Sequence, residues 1–283
     1  MEFQWSLLWM LNMIRAIAKK VFQESEEESR QFLNSVHSKK FDYKVLVICI
    51  TTSISLTIIN YFSSYNSSVF FVENYLNKHW AFYLNNIFSK GQYSQLFRLT
   101  HWVFVLSICY LIIPILVVKF ILRGKLEEYG LYFRNTLKDY KIYLYMIFFM
   151  IPIIFFISFL SSFKSSYPFY KLQNNEGINS KFVIWEIEYF FQFFILEFFF
   201  RGFILHGVKH RFGYYSVFMM SIPYCMIHFG KPMPETISAI IAAIILGTLS
   251  LKSRNILLGF FIHCSVALCM DIFSLWQKGM FNF

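Results

Sequence analysis

Residues 193–202 read Phe193-Phe194-Ile195-Leu196-Glu197-Phe198-Phe199-Phe200-Arg201-Gly202. Two opposite charges stand four residues apart in a run that is otherwise apolar. Nothing local hydrates them. A charge at bilayer depth costs at least about 2.5–3.5 kcal/mol on insertion scales, so a glutamate kept there with a partner marks a functional site. Glutamate first and arginine four residues on is also the better orientation for a helical ion pair. The stretch therefore predicts a membrane helix with a buried polar point. Two further apolar runs each carry one such point, His228 and His263.

The whole chain agrees with that stretch. Of its 283 residues, 57% are hydrophobic and 22% aromatic, with only 15% charged, which excludes a soluble domain. The expected fold class is all-α, a polytopic membrane helix bundle with about seven transmembrane helices and an N-terminal interfacial helix. The apolar runs are residues 43–61, 102–122, 140–160, 182–206, 214–229, 236–251 and 256–276. The aromatic, half-polar residues 67–101 read as interfacial. Three segments follow: a charged cytoplasmic segment at 1–42, N-terminal membrane helices at 43–180, and a core at 181–283 that holds the polar points. Within the first, Glu24-Ser25-Glu26-Glu27-Glu28 reads as a solvated helix or tether.

The net charge of +10 does not point to nucleic acid. Lys and Arg lie in short loops beside apolar runs, where they set topology, rather than on one polar face. Their alternation favours the N-terminal side by about two to one, which predicts a cytoplasmic N-terminus. The expected location is a bacterial inner membrane, with the chain as a multi-pass protein. All five cysteines fall in apolar runs and none forms a CxxC pair, so they read as buried small residues. His206 and His210, beside Lys209 and Arg211, read as solvated or headgroup contacts.

A tight turn near Phe212-Gly213 joins two of the runs. Glu197 lies fifteen residues before it and His228 fifteen after, which is about 22 Å each at helical rise. The same count levels Arg201 with Tyr224. His263 comes in from a third run, so three ionisable groups are expected to share a pocket. Glu186, eleven residues before Glu197, extends the polar face. Ala239, Ala243 and Gly247 form a small-residue stripe for close helix approach.

These motifs resemble the family of CaaX-processing and bacteriocin-processing intramembrane proteases, also called Abi proteins. Glu197 and Arg201-Gly202 match the second glutamate, the arginine and the glycine of its first motif. Tyr224 and His228 match its second motif, and His263 its third. The resemblance covers roughly residues 182–276. It departs at two positions: Leu196 stands where the first glutamate is usual, and Ala267 where an asparagine is usual. The resemblance implies an endopeptidase acting on a membrane-associated protein or peptide tail.

Peptide hydrolysis needs a base for water, a donor for the oxyanion and an acid for the leaving amine. Glu197 and His228 are expected to polarise the water. His263 is expected to hold the oxyanion, oriented by Asp271, and Arg201 to hold Glu197. Either no cofactor is required, or a divalent metal such as zinc sits on Glu197, His228 and His263, since one carboxylate and two imidazoles make a three-ligand site. Expected partners are the membrane-anchored substrate and the lipid bilayer. Two other functions compete. One is a non-catalytic relative acting as a membrane peptide-binding, immunity or scaffold protein. The other is a transporter that relays protons through the buried charges.

Overall fold

The computed structural model describes residues 2–35, 41–132, 140–172 and 177–280. Every regular element among them is helical. The α-helices are α1 (Glu2–Ser35), α2 (Tyr43–Phe62), α3 (Tyr65–Phe71), α4 (Lys78–Ser89), α5 (Ser94–Leu106), α6 (Ile113–Leu116), α7 (Tyr140–Ile157), α8 (Ser161–Ser166), α9 (Ser180–Glu197), α10 (Gly207–Phe212), α11 (Tyr215–Met226), α12 (Met233–Ser253) and α13 (Leu257–Gln277). A π-helical stretch, Phe198–His206, joins α9 to α10. Val72–Leu76, Ser107–Ile112 and Val117–Ile121 are π-helical as well.

The chain is an integral membrane protein built as a polytopic helical bundle. Among the described residues, five helical stretches are long and apolar enough to cross a bilayer: Tyr43–Phe62, Ser94–Ile121, Tyr140–Ile157, Met233–Ser253 and Leu257–Gln277. That is two fewer than the seven apolar runs suggest. α9 carries Lys181, Glu186, Glu188 and Glu197, which dilute its hydropathy. α11 has only 12 residues, about 18 Å of helix against a hydrocarbon core of about 30 Å. Outward-facing Phe120, Phe148, Phe156 and Ile222 match the lipid solvent this composition requires.

The chain divides into two compact units. The first gathers Met1–Ile50, Leu122–Thr136 and Phe198–Ile256. Here α11 packs on α12, and Ala239, Ala243 and Gly247 are all buried, as the small-residue stripe predicts. A Cβ at Gly247 would lie 3.1 Å from both Met220 Cε and Val217 Cγ1, so the approach is already tight. α1 is a single 34-residue helix, and its acidic run is more than a solvated tether. Glu26 Oε1 accepts the Tyr214 N–H at the start of α11 (3.1 Å). Glu28 meets Arg254 at 2.6 Å and Lys209 at 3.8 Å. The reason is basic charge on the turns around 209–214 and 254, which local sequence does not place beside α1.

His206 is also a correction. It is buried, with Nε2 3.0 Å from Ser250 Oγ, rather than solvated. His210 Nε2 lies 2.9 Å from Asp42 Oδ2. Burial pushes His210 below the usual imidazole value, against the pull of Asp42. The cysteines are free thiols, and of them Cys109 is buried whereas Cys49 is exposed.

The second unit gathers Thr51–Ile121, Leu137–Glu197 and Leu257–Phe283. Its aromatic core holds Phe182, Trp185 and Tyr189 of α9, with Leu96 and Val103 of α5 and Ala267 and Leu275 of α13. The Trp185 ring stacks on Trp102 (6.1 Å, 25°) and on Tyr189 (5.2 Å, 18°). α7 closes on the far side of α13 through Phe155, whose ring meets Phe273 and Trp276. α9 and α13 are thereby fixed face to face, and they carry four of the polar residues singled out above.

Candidate functional site

α9 and α13 run antiparallel and meet at two polar rungs. At the first, His263 Nδ1 lies 2.8 Å from Glu197 Oε1. Glu197 is 1% exposed, so its carboxylate sits in a low-dielectric setting where a charge partner counts most. The Phe193 ring lies flat on the imidazole, with centroids 5.5 Å apart and 5° between planes. That stacking limits rotation of His263. A carboxylate this close to Nδ1 favours the ring state that leaves Nε2 for proton transfer.

Gly259, one helical turn before His263, makes room for the pair. A Cβ there would fall 2.6 Å from Glu197 Oε2. The carboxylate thus fills the space that a side chain at 259 would take. Sequence reasoning passes over this residue; its signal is a glycine four positions before a histidine in an apolar helix. Gly259→Ala is expected to displace the carboxylate from His263 and lower any Glu197-dependent activity by about tenfold or more, since misplacement of about 1 Å can cost about a hundredfold. Activity of Gly259→Ala at the level of the unchanged protein, with Glu197→Gln inactive beside it, would remove the positioning role.

At the second rung, Glu186 and Asp271 meet carboxyl to carboxyl. Both line a cavity of about 610 Å³. Asp271 is buried, and among the described residues no donor reaches either carboxyl group. The acid that contacts Asp271 is Glu186, and the carboxylate beside His263 is that of Glu197. Ala267 lies between the rungs, in the aromatic core, where an asparagine amide would face apolar neighbours.

Arg201, Tyr224 and His228 belong to the other unit. Arg201 is fully buried in the π-helical stretch, with its guanidinium carbon 4.2 Å from the Tyr224 ring centroid. A desolvated guanidinium over a tyrosine face is a cation–π contact, worth about 2 kcal/mol or more. His228 lies beyond the end of α11, in a turn rather than inside a span. Pro223 within α11 lacks the N–H that would continue the helical ladder. His228 Nδ1–H donates to the Tyr224 carbonyl (2.8 Å), which assigns the lone pair to Nε2. Thr236 Oγ1 donates to the His228 carbonyl (3.0 Å).

The structure therefore joins Glu197 to His263, Glu186 to Asp271, and Arg201 and His228 to Tyr224. Among the described residues no three His, Cys, Asp or Glu side chains are grouped as a metal would need. No step below is routed through a metal.

Residues 178–269 match the family model described as type II CAAX prenyl endopeptidase, Rce1-like. No curated protein and no solved structure matches the chain. The matched segment starts just before α9, ends inside α13, and contains all three motifs. Residues 178–269 of this chain are therefore similar to the Rce1-like type II CAAX prenyl endopeptidases.

Proposed function

We propose that this chain is an intramembrane endopeptidase that cleaves a membrane-associated protein or peptide tail, with residues 181–283 as its peptidase core. The observation that supports this most is the Glu197–His263 contact at 2.8 Å inside the family-matched segment. Glu197 holds the imidazole through Nδ1. His263 Nε2 takes a proton from water as the water oxygen attacks the amide carbonyl, and the imidazolium then returns that proton to the leaving amine. Glu197 stabilises the transient cation at Nδ1, as a carboxylate does beside any general-base histidine. This arrangement gives His263 the proton-transfer role, where motif matching alone suggests oxyanion binding. His228 is carried by its motif as a further candidate, and the loop charges favour a cytoplasmic N-terminus.

One observation favours a second function, a peptide-binding protein without catalysis. Leu196 occupies the place of the family's first glutamate, and Ala267 packs in an apolar core where the family has asparagine. Purified protein in lipid nanodiscs, incubated with a library of apolar peptides, separates the two. Cleavage that disappears in His263→Ala and weakens in His228→Ala supports the peptidase. Peptide binding with no cleaved product in mass spectra supports the binder. The same samples, with and without chelator and with elemental analysis, test whether any cleavage depends on a metal.

A further inference from the structure

α1 is fixed to the first unit at two levels, and together they set its course. Toward its C-terminal end it is held at the turns. Glu28 meets Arg254 at 2.6 Å, and Ser29 Oγ donates to the Arg211 carbonyl (3.1 Å). Further back, Ile14, Ile17 and Ala18 line one apolar cleft with Ile244, Ile245 and Leu249 of α12. Later residues of α1 meet later residues of α12, so the two helices run in the same direction. α12 is one of the stretches long and apolar enough to cross a bilayer. Ile244 lies ten residues before Arg254, about 15 Å at helical rise. That is half of a hydrocarbon core of about 30 Å. α1 therefore descends obliquely beside α12 into one leaflet. We propose that Arg15 and Lys19 of α1 together hold the phosphate of one anionic lipid in that leaflet.

The apolar residues identify the surroundings of this part of α1. Leu11, one turn beyond Ile14, is 53% exposed, and Trp9 is 53% exposed beside it. On α12, Ile240 and Ile241 are exposed one turn beyond Ile244. A helix that crosses the bilayer meets hydrocarbon at that depth. The adjoining stretch of α1 meets the same hydrocarbon, and its exposed Trp9 and Leu11 suit that solvent better than water.

The charges identify the lipid. Arg15 and Lys19 are both exposed and stand one helical turn apart, where like charges repel. Among the described residues no carboxylate pairs with either, whereas Lys20 reaches Glu24 at 3.7 Å. A cation that starts below the surface is stable when its stem lies in hydrocarbon and its head reaches the phosphate layer. One phosphate between the two heads also removes their repulsion. The guanidinium fork and the ammonium can share its two free oxygens. A zwitterionic headgroup brings its own cation to its phosphate. An anionic one, such as phosphatidylglycerol, leaves that charge for the protein.

The test uses the full chain. Detergent-solubilised protein is titrated with phosphatidylglycerol or phosphatidylcholine, and bound lipids are counted by native mass spectrometry. Arg15→Gln with Lys19→Gln is expected to retain one phosphatidylglycerol fewer than the unaltered protein at matched concentration, with phosphatidylcholine unchanged. Lys20→Gln is expected to retain the full number, because that lysine already has Glu24. Excess inorganic phosphate is expected to displace none. The course of α1 is read separately in nanodiscs, with Arg15 and Lys19 intact. A nitroxide at residue 11, attached through a ketone-bearing amino acid that spares the native cysteines, is expected to be relaxed more by oxygen than by a water-soluble nickel chelate. At residue 27 the reverse is expected. An equal phosphatidylglycerol count in the double variant, an equal loss of phosphatidylcholine, the same loss in Lys20→Gln, displacement by inorganic phosphate, or free access of the nickel chelate to residue 11 would overturn the proposal.

Discussion

Glu197→Gln is expected to lower peptide cleavage by about 10²–10⁴-fold while leaving the protein folded. The amide keeps the shape of the carboxylate, so the space beside Gly259 remains filled. It does not carry the negative charge that stabilises an imidazolium at His263, and general acid–base catalysis of this kind is worth about that factor. His263→Ala is expected to fall as far. Because the two groups act as one unit at 2.8 Å, the double variant should be little worse than the worse single variant. Single-turnover rates on one peptide, with helical circular dichroism as the folding control, provide the comparison. Full activity in Glu197→Gln, or losses that multiply in the double variant, would show that the contact is structural only.

Gly202→Ala is expected to destabilise the first unit by about 1–3 kcal/mol, the usual range for overpacking a tight site. A Cβ at 202 would lie 2.6 Å from the Tyr129 carbonyl oxygen, a backbone atom that no rotamer change relieves. The segment around Tyr129 is held from several sides. Its ring is buried and stacks on Phe203 (6.3 Å, 22°), with Lys44 Nζ 5.0 Å above it. The Gly130 carbonyl accepts the Ile256 N–H (3.1 Å), and Asn255 Nδ2 donates to the Tyr132 carbonyl. Gly202→Ala should therefore lower the thermal midpoint and speed proteolysis near residues 122–132. Gly177→Ala, where an added Cβ meets nothing within 4 Å, is the control. Equal midpoints for the two variants would remove the close approach as the reason for glycine at 202.

Gly202 shows how far a motif reaches. The glycine after the motif arginine is visible in sequence, but its purpose is a carbonyl more than seventy residues upstream. Glu197 and His263 stand out as polar points in apolar runs, because the cost of burying a charge is a local property of each run. Their contact, and the absence of a side chain at 259 that permits it, depend on how α9 and α13 are rotated against each other. Asp271 illustrates the same limit. Its spacing of two turns from His263 suggests a partner for that histidine, while packing of the two helices sets it against Glu186. The length of α11 was also hidden. Apolar residues continue through Phe229, but the helix stops at Met226 and His228 falls in a turn.

Hydropathy and charge alone determined that this chain is helical, resides in a membrane and keeps a few ionisable groups inside it. Those are sums over short stretches, and each stretch carries its own cost of meeting lipid. Only the tertiary structure decided which groups meet: Glu197 with His263, Glu186 with Asp271, and the acidic run of α1 with the basic turns at 209–214 and 254. Those pairings join residues far apart in the chain. Their energies depend on helix rotation, on close approaches at Gly202 and Gly259, and on cavities left between side chains, none of which is a property of any one stretch.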